Sequence, residues 1–169
     1  MHLAFAVAVP CTGLTSATAS NLQLRADWKA AFASQPREFV SPVNLECIAG
    51  EPPAELLGGT LFKNGPANFE RGDTCFAHWL DGDGFVTRLS ISSSDGSATW
   101  SGRYVNTEAY AEEEAANDVK YRTTFGTQRP GGILNNLMDI RLKSPANTNV
   151  LPLPGGHAVL ALWEAGPPY

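Results

Sequence analysis

Apolar and polar positions change period several times along this 169-residue chain. Between Leu24 and Ala33, the residues Leu24, Trp28, Ala31 and Phe32 recur at helical spacing and share one face. This predicts a helix capped by Asn21 and packed on the domain. From Pro36 to Gly59 no period is sustained and prolines are frequent, so the stretch is expected to be irregular and to wrap the fold. Short runs of strand character follow. Leu61 and Phe62 begin one. Asn64-Gly65-Pro66 is expected to stop it, because glycine takes backbone angles that other residues avoid and proline lacks a donor. Cys75 to Leu80 reads as a second strand, reversed at Asp81-Gly82-Asp83-Gly84. Phe85 to Ser93 alternates, with Phe85, Thr87, Leu89 and Ile91 on one face and Val86, Arg88 and Ser90 on the other. Asp95-Gly96 turns the chain into a returning strand, Ser97 to Asn106. Thr107 to Ala116 is acidic and rich in alanine, which predicts a few helical turns with the charges facing water. After a loop at Gly126 to Gly132, Ala146 to Leu153 pairs with Ala158 to Trp163 across Pro154-Gly155-Gly156-His157. Short aromatic strands joined by Gly-rich reversals make the fold class all-β: an antiparallel meander with a short N-terminal helix.

Composition narrows the function classes. The net charge is -5, with 12 Lys and Arg against 17 Asp and Glu and no basic cluster, which excludes a nucleic-acid surface. Only 17% of residues are charged, and 16 glycines with 12 prolines suit a turn-rich β domain. Cys11, Cys47 and Cys75 are odd in number and include no Cys-x-x-Cys pair. Neither a disulfide framework nor a zinc site is indicated, and a reducing compartment is the simpler setting. Residues 1–20 hold a short apolar run, Leu3 to Val9, and the small residues Ala17-Thr18-Ala19, ahead of the first basic residue, Arg25. They read either as a targeting segment or as a disordered tail, and the run is too short to span a membrane. Pro130-Gly131-Gly132 lacks the Lys-Ser/Thr that would follow it in a phosphate-binding loop.

The motifs resemble a known family. Asn64-Gly65-Pro66 is followed by His78-Trp79-Leu80-Asp81-Gly82-Asp83-Gly84 and by Arg103-Tyr104-Val105-x-Thr107-Glu108-x-Tyr110. Phe125-Gly126-Thr127, Pro145-Ala146-Asn147-Thr148-Asn149 and Leu162-Trp163-Glu164-Ala165-Gly166 complete the series. Their order is that of the carotenoid cleavage oxygenases, and several linked motifs in one order are far more specific than any alone. The resemblance runs from Asp27 to Tyr169 and is to the amino-terminal part of longer family members. It implies a seven-bladed β-propeller, of which residues 21–169 are a truncated portion: the helix and roughly the first two blades. For the complete protein it implies an Fe(II)-dependent oxygenase that uses O2 to cleave a double bond of a carotenoid or apocarotenoid. Peripheral membrane contact and a plastid or cytoplasmic location go with that reading. The alternative, from another class, is a non-catalytic propeller that binds a hydrophobic ligand or a partner protein.

In that family four histidines hold the iron. This chain has three, His2, His78 and His157, and none matches a ligand position. His78 lies in a strand-and-turn motif and His157 in a hairpin turn, and the resemblance places the ligands beyond Tyr169. Two residues carry over. Glu164 matches the glutamate that accepts a hydrogen bond from an iron-bound histidine, and a lone Glu on an apolar strand is expected to be buried with a partner. Thr148 matches a residue beside the open coordination position of the iron. The spacing from Thr148 to Glu164 is longer than the family's, around Pro152-Leu153-Pro154. Asn64, Asp81 and Asp83 are expected to bond turn amides.

Overall fold

The computed structural model describes residues 21–129, 131, 132 and 141–169. The readings of residues 1–20, His2 and Cys11 among them, and of Pro130 lie outside these. Helix α1, Asn21–Ala31, occupies the stretch predicted for it, with Asn21 inside the helix rather than before it. In chain order the strands are β1 (Phe39–Leu45), β2 (Thr60–Asn68), β3 (Glu70–Arg71), β4 (Thr74–Cys75), β5 (Asp83–Ile91) and β6 (Ala98–Tyr104). After helix α2 (Glu108–Ala116) come β7 (Asn149–Pro152) and β8 (Val159–Leu162). The main antiparallel sheet has the order β1-β6-β5-β2, while β3 pairs with β4 and β7 with β8. The mostly-sheet expectation holds. So does the β5–β6 hairpin, whose register runs unbroken from Phe85 opposite Tyr104 to Ile91 opposite Ala98. Gly96 takes the left-handed conformation its turn requires, with φ 69°. Exposed Asp95 closes that turn, and the hydroxyls of Ser92 and Ser97 hold its carboxyl down at about 2.

Four local readings are overturned, three by pairing with distant strands and one by a local turn. Pro36 to Gly59 is not wholly irregular. Strand β1 adds to β6, and Pro42 is tolerated because it sits on an edge strand where the register shifts between Phe39 and Val43. Asn64-Gly65-Pro66 does not stop β2, since its residues stay paired opposite Val86, Phe85 and Gly84. Cys75 to Leu80 is not a strand. Only Thr74–Cys75 pairs, and Trp79–Asp81 closes into a 3-10 turn in which the Leu80 N–H donates to His78 Nδ1 at 3.1 Å. Asp81-Gly82-Asp83-Gly84 therefore reverses nothing; Asp83 and Gly84 open β5. Gly84 is needed for close approach. A Cβ there would lie 2.3 Å from the Ala146 carbonyl oxygen, while the Gly84 N–H bonds the Pro145 carbonyl at 2.8 Å.

Helix α2 forms where the alanine-rich run predicts it. Thr107 caps it, its hydroxyl oxygen accepting from the Tyr110 N–H at 3.0 Å, and left-handed Asn117 ends it. Its acidic run is not simply a solvated face, because Glu113 is fully buried. Val105, Ala146 and Ala161 form a small apolar cluster with Val86 against it, which joins the main sheet to β8. Tyr169 exchanges two backbone bonds with Ala161, 2.7 and 3.0 Å, and so extends the β7–β8 ribbon.

Tyr104 ties the sheet to the segment after α1. Its hydroxyl is placed to donate to the carbonyls of Gln35 (2.7 Å) and Ala67 (3.1 Å), and its ring stacks on Tyr110 at 5.1 Å. Burial, then the field of Tyr110, pushes its pKa up. Burial also raises Tyr110 and Tyr121. A phenol whose folded pKa is raised contributes stability that is complete below the unfolded value, about 10, and lost as pH rises through the folded one. Stability is therefore expected to fall with pH above about 10. Tyr104→Phe should flatten part of that slope while costing about 1 kcal/mol at neutral pH through its hydrogen bonding. Melting curves of both proteins between neutral and strongly alkaline pH check this.

Candidate functional site

The sequence motifs, scattered along the chain, converge into one polar network. Asp81 Oδ2 accepts from the hydroxyls of Thr123 (2.6 Å) and Thr127 (2.9 Å), and Oδ1 from the Phe125 N–H (3.0 Å). The turn amide expected for Asp81 is thus Phe125's, and the His78–Gly84 motif holds Phe125-Gly126-Thr127 in place. Thr127 Oγ1 in turn accepts from the Ala77 N–H at 2.7 Å. Asn64 bonds carbonyls instead of the amide expected: Nδ2 donates to Ala146 (2.7 Å) and to Asn149 (2.9 Å). From the other side, Asn147 Nδ2 donates to the carbonyls of Leu80 (2.9 Å) and Gly82 (2.7 Å). Two asparagines therefore clamp the loop Pro145-Ala146-Asn147-Thr148-Asn149. Between them Ala146, fully buried, sits in the left-handed region at φ 46°.

Asp83 does not bond a turn amide either. It anchors a buried ionic cluster. Lys143 Nζ lies 2.7 Å from Asp83 Oδ1 and 2.8 Å from Glu113 Oε2, and 4.2 Å from the centre of the Phe76 ring. Glu113 Oε1 also accepts the N–H groups of Lys120 (3.0 Å) and Tyr121 (3.1 Å). Arg71 pairs with Asp83 at 3.3 Å and with Glu114, and lies over the Tyr110 ring. Burial opposes the charge of Arg71, but Asp83 and Glu114 outweigh it and its pKa is raised. Such a cluster, in which each buried charge meets an opposite one, is scaffold chemistry rather than acid–base chemistry. Arg71, Glu113 and Lys143 escape sequence reasoning. Lys143 stands in an unremarkable Arg-Leu-Lys-Ser stretch, and Glu113 is hidden among acidic neighbours. Asn147 was legible as part of its motif.

The two carried-over residues lie at one end of the β7–β8 ribbon. Thr148 is exposed just before β7. Its N–H and its hydroxyl both reach the Leu162 carbonyl, at 3.1 and 2.9 Å. A hydroxyl so engaged offers outward only lone pairs and a methyl. The ribbon pairs Asn149 with Leu162 and Pro152 with Val159, so the longer spacing is absorbed in the turn around left-handed Gly155 and Gly156. Glu164 is exposed rather than buried. Strand β8 ends at Leu162 and the chain turns at Glu164, which carries the side chain off the apolar strand.

Among the described residues, no three His, Cys, Asp or Glu come together as a metal site. His78 Nδ1 is engaged by the Leu80 N–H and its ring stacks on Phe125 at 4.6 Å. The described residues do not fit as ligands of an iron centre.

The family profile of the retinal pigment epithelial membrane protein matches residues 32–169. Apocarotenoid-15,15'-oxygenase of Synechocystis is 41% identical over 143 residues, which are 85% of this chain and 28% of that protein. The chloroplastic carotenoid cleavage dioxygenase 7 of Arabidopsis thaliana is 32% identical, over 98% of this chain and 28% of its own length. The solved structure of the cobalt-substituted Synechocystis apocarotenoid oxygenase superposes with a TM-score of 0.76 at 40% identity, covering 85% of this chain and 29% of that one. The chain thus spans under a third of the length of these relatives. It belongs to the carotenoid cleavage oxygenase family, that of the retinal pigment epithelial membrane protein.

Proposed function

We propose that the complete protein is an Fe(II)-dependent oxygenase that uses O2 to cleave a double bond of a carotenoid or apocarotenoid. What carries this reading is the 41% identity, over 85% of the chain, to a relative whose name states an oxygenase acting on apocarotenoids. In this reading residues 21–169 are the amino-terminal part of a seven-bladed propeller. The sheet β1-β6-β5-β2 is one blade, and β7–β8 with Tyr169 begins the next. Iron would be held by four histidines other than those of the described residues, and when bound it would supply the oxygen chemistry. The part of this chain is to place two side chains. Glu164 accepts a hydrogen bond from the ring N–H of an iron-bound histidine, orienting the ring and adding negative charge. Its exposure on this chain leaves the carboxylate free for that partner. Thr148 would stand beside the bound iron and present no proton to it, its hydroxyl being committed to Leu162. Exposed Trp79 and Phe125 support peripheral membrane contact. No helix of the described residues is long and apolar enough to cross a membrane. The chloroplastic name of the Arabidopsis relative favours a plastid over the cytoplasm.

In the complete protein, Glu164→Gln is expected to lower turnover and iron retention by roughly ten- to a hundredfold. The melting temperature should not move, because the side chain is exposed. Chromatography of aldehyde products from an apocarotenoid under O2, beside a metal assay, reads both quantities. A wild-type complete protein that forms no such products would retire the oxygenase reading and leave a binding module. Full turnover by Glu164→Gln would retire only the role given to that residue.

A further inference from the structure

We infer that Asn64 is a positioning residue for Thr148. The inference rests on the reading of Thr148 given above. Asn64 and the loop it holds are 82 residues apart in sequence, yet Nδ2 bonds the two carbonyls, Ala146 and Asn149, that bracket Asn147-Thr148. These bonds add nothing to the sheet that Asn64 belongs to, because β2 already pairs with β5 through its backbone from Thr60 to Asn68. They reach out of the sheet to one loop. That loop needs holding. Ala146 at φ 46° occupies a conformation that residues with a side chain rarely adopt, and it precedes Thr148 by two positions. Three neighbours impose the kink. Asn64 Nδ2 takes the Ala146 carbonyl, the missing Cβ of Gly84 leaves room for it, and Asn147 pins the next residue to Leu80 and Gly82.

The chemistry selects asparagine. A planar amide offers two hydrogens on one nitrogen, one for each carbonyl; aspartate offers none and serine one. The opposite end of the amide, Oδ1, is buried with no partner among the described residues. The side chain is therefore oriented by its donor end alone, and its orientation serves the loop. Thr148 is then fixed from two directions: by Leu162 through its own N–H and hydroxyl, and by Asn64 through the carbonyls of Ala146 and Asn149. Without Asn64 the Ala146 peptide is released toward negative φ, and Thr148 moves with it.

The test is a double-mutant cycle in the complete protein, with apocarotenoid cleavage as the assay and circular dichroism as the check on folding. Asn64→Ala is expected to lower kcat on the order of tenfold with KM within about twofold. Thr148→Ala should also lower kcat, and the double variant should be no slower than Thr148→Ala alone, because Asn64 acts through Thr148. Should Asn64→Ala not fold, Asn64→Ser, which keeps one donor on a shorter side chain, is read in the same cycle. Effects that multiply in the double variant, or an Asn64 variant with unchanged kcat beside a slowed Thr148→Ala, overturn the positioning alone. Unchanged kcat in Thr148→Ala overturns the reading of the site itself, and the positioning with it.

Discussion

Lys143→Met is expected to destabilise this domain more than any other single exchange in its described residues. The ammonium is 1% exposed and lies between Asp83 and Glu113, which are 1% and 0% exposed. Methionine fills a similar volume but leaves Glu113 buried without its counter-charge and Asp83 with Arg71 as its one remaining cation, beside the Asn68 amide. Breaking a buried pair from one side costs about 3–5 kcal/mol, against a domain stability of about 5–15 kcal/mol. A fall in melting temperature on the order of 10 °C, or outright failure to fold, is expected. The cause can be separated from lost packing. If stranded charge is responsible, Lys143→Met combined with Glu113→Gln and Asp83→Asn should recover a large part of the loss, since the carboxylate charges then go too. A single variant melting within about 2 °C of the parent would mean that the cluster contributes little. A triple variant no better than the single would assign the loss to packing.

That cluster shows where the sequence runs out as a guide to the fold. Elements whose cause is local were legible: the alternation of Phe85 to Ile91, the Asp95-Gly96 turn, the Thr107 cap and the β7–β8 ribbon all formed where the pattern places them. Elements decided by distant partners were not. Asn64-Gly65-Pro66 has the chemistry of a stop, yet strand β5 holds its backbone extended. Asp81 and Asp83 have the chemistry of a hairpin, yet Asp81 is drawn to Thr123, Thr127 and Phe125, and Asp83 to Lys143 and Arg71. Local propensity is a weak prior against such pairing. Thr148 and Glu164 lie together at one end of the β7–β8 ribbon. The expected burial of Glu164 failed because its strand stops two residues earlier. The partners that hold the loop could not be found from spacing, since Asn64 and Ala146 are 82 residues apart and no repeat relates them.

This chain, produced by itself, is expected to self-associate. Three of the strands longer than two residues have an open edge among the described residues: β1 and β2 bound the main sheet, and β7 bounds the ribbon. Each carries exposed apolar side chains: Val40 on β1, Leu61 on β2 at 61% exposure and Leu151 on β7 at 52%. An open edge with apolar neighbours is a template for pairing with another copy, and charges, lysine above all, are the usual defence. Leu160 and Leu162 on β8, and Trp163 just after it, are apolar residues of the ribbon's other strand. These are only half-buried, but Tyr169 covers the edge of β8 by pairing with Ala161. The risk therefore falls on the opposite edges. In the closed propeller proposed for the complete protein each blade would pack on the next and few edges would stay open, so that protein is expected to be free of the problem. Sedimentation of the isolated chain should show large, concentration-dependent species. Leu61→Lys combined with Leu151→Lys should raise the monomer fraction several-fold without lowering the melting temperature, because both side chains already face water. A parent chain that sediments as a monomer and melts sharply would refute the expectation and favour a self-contained binding module over an oxygenase piece.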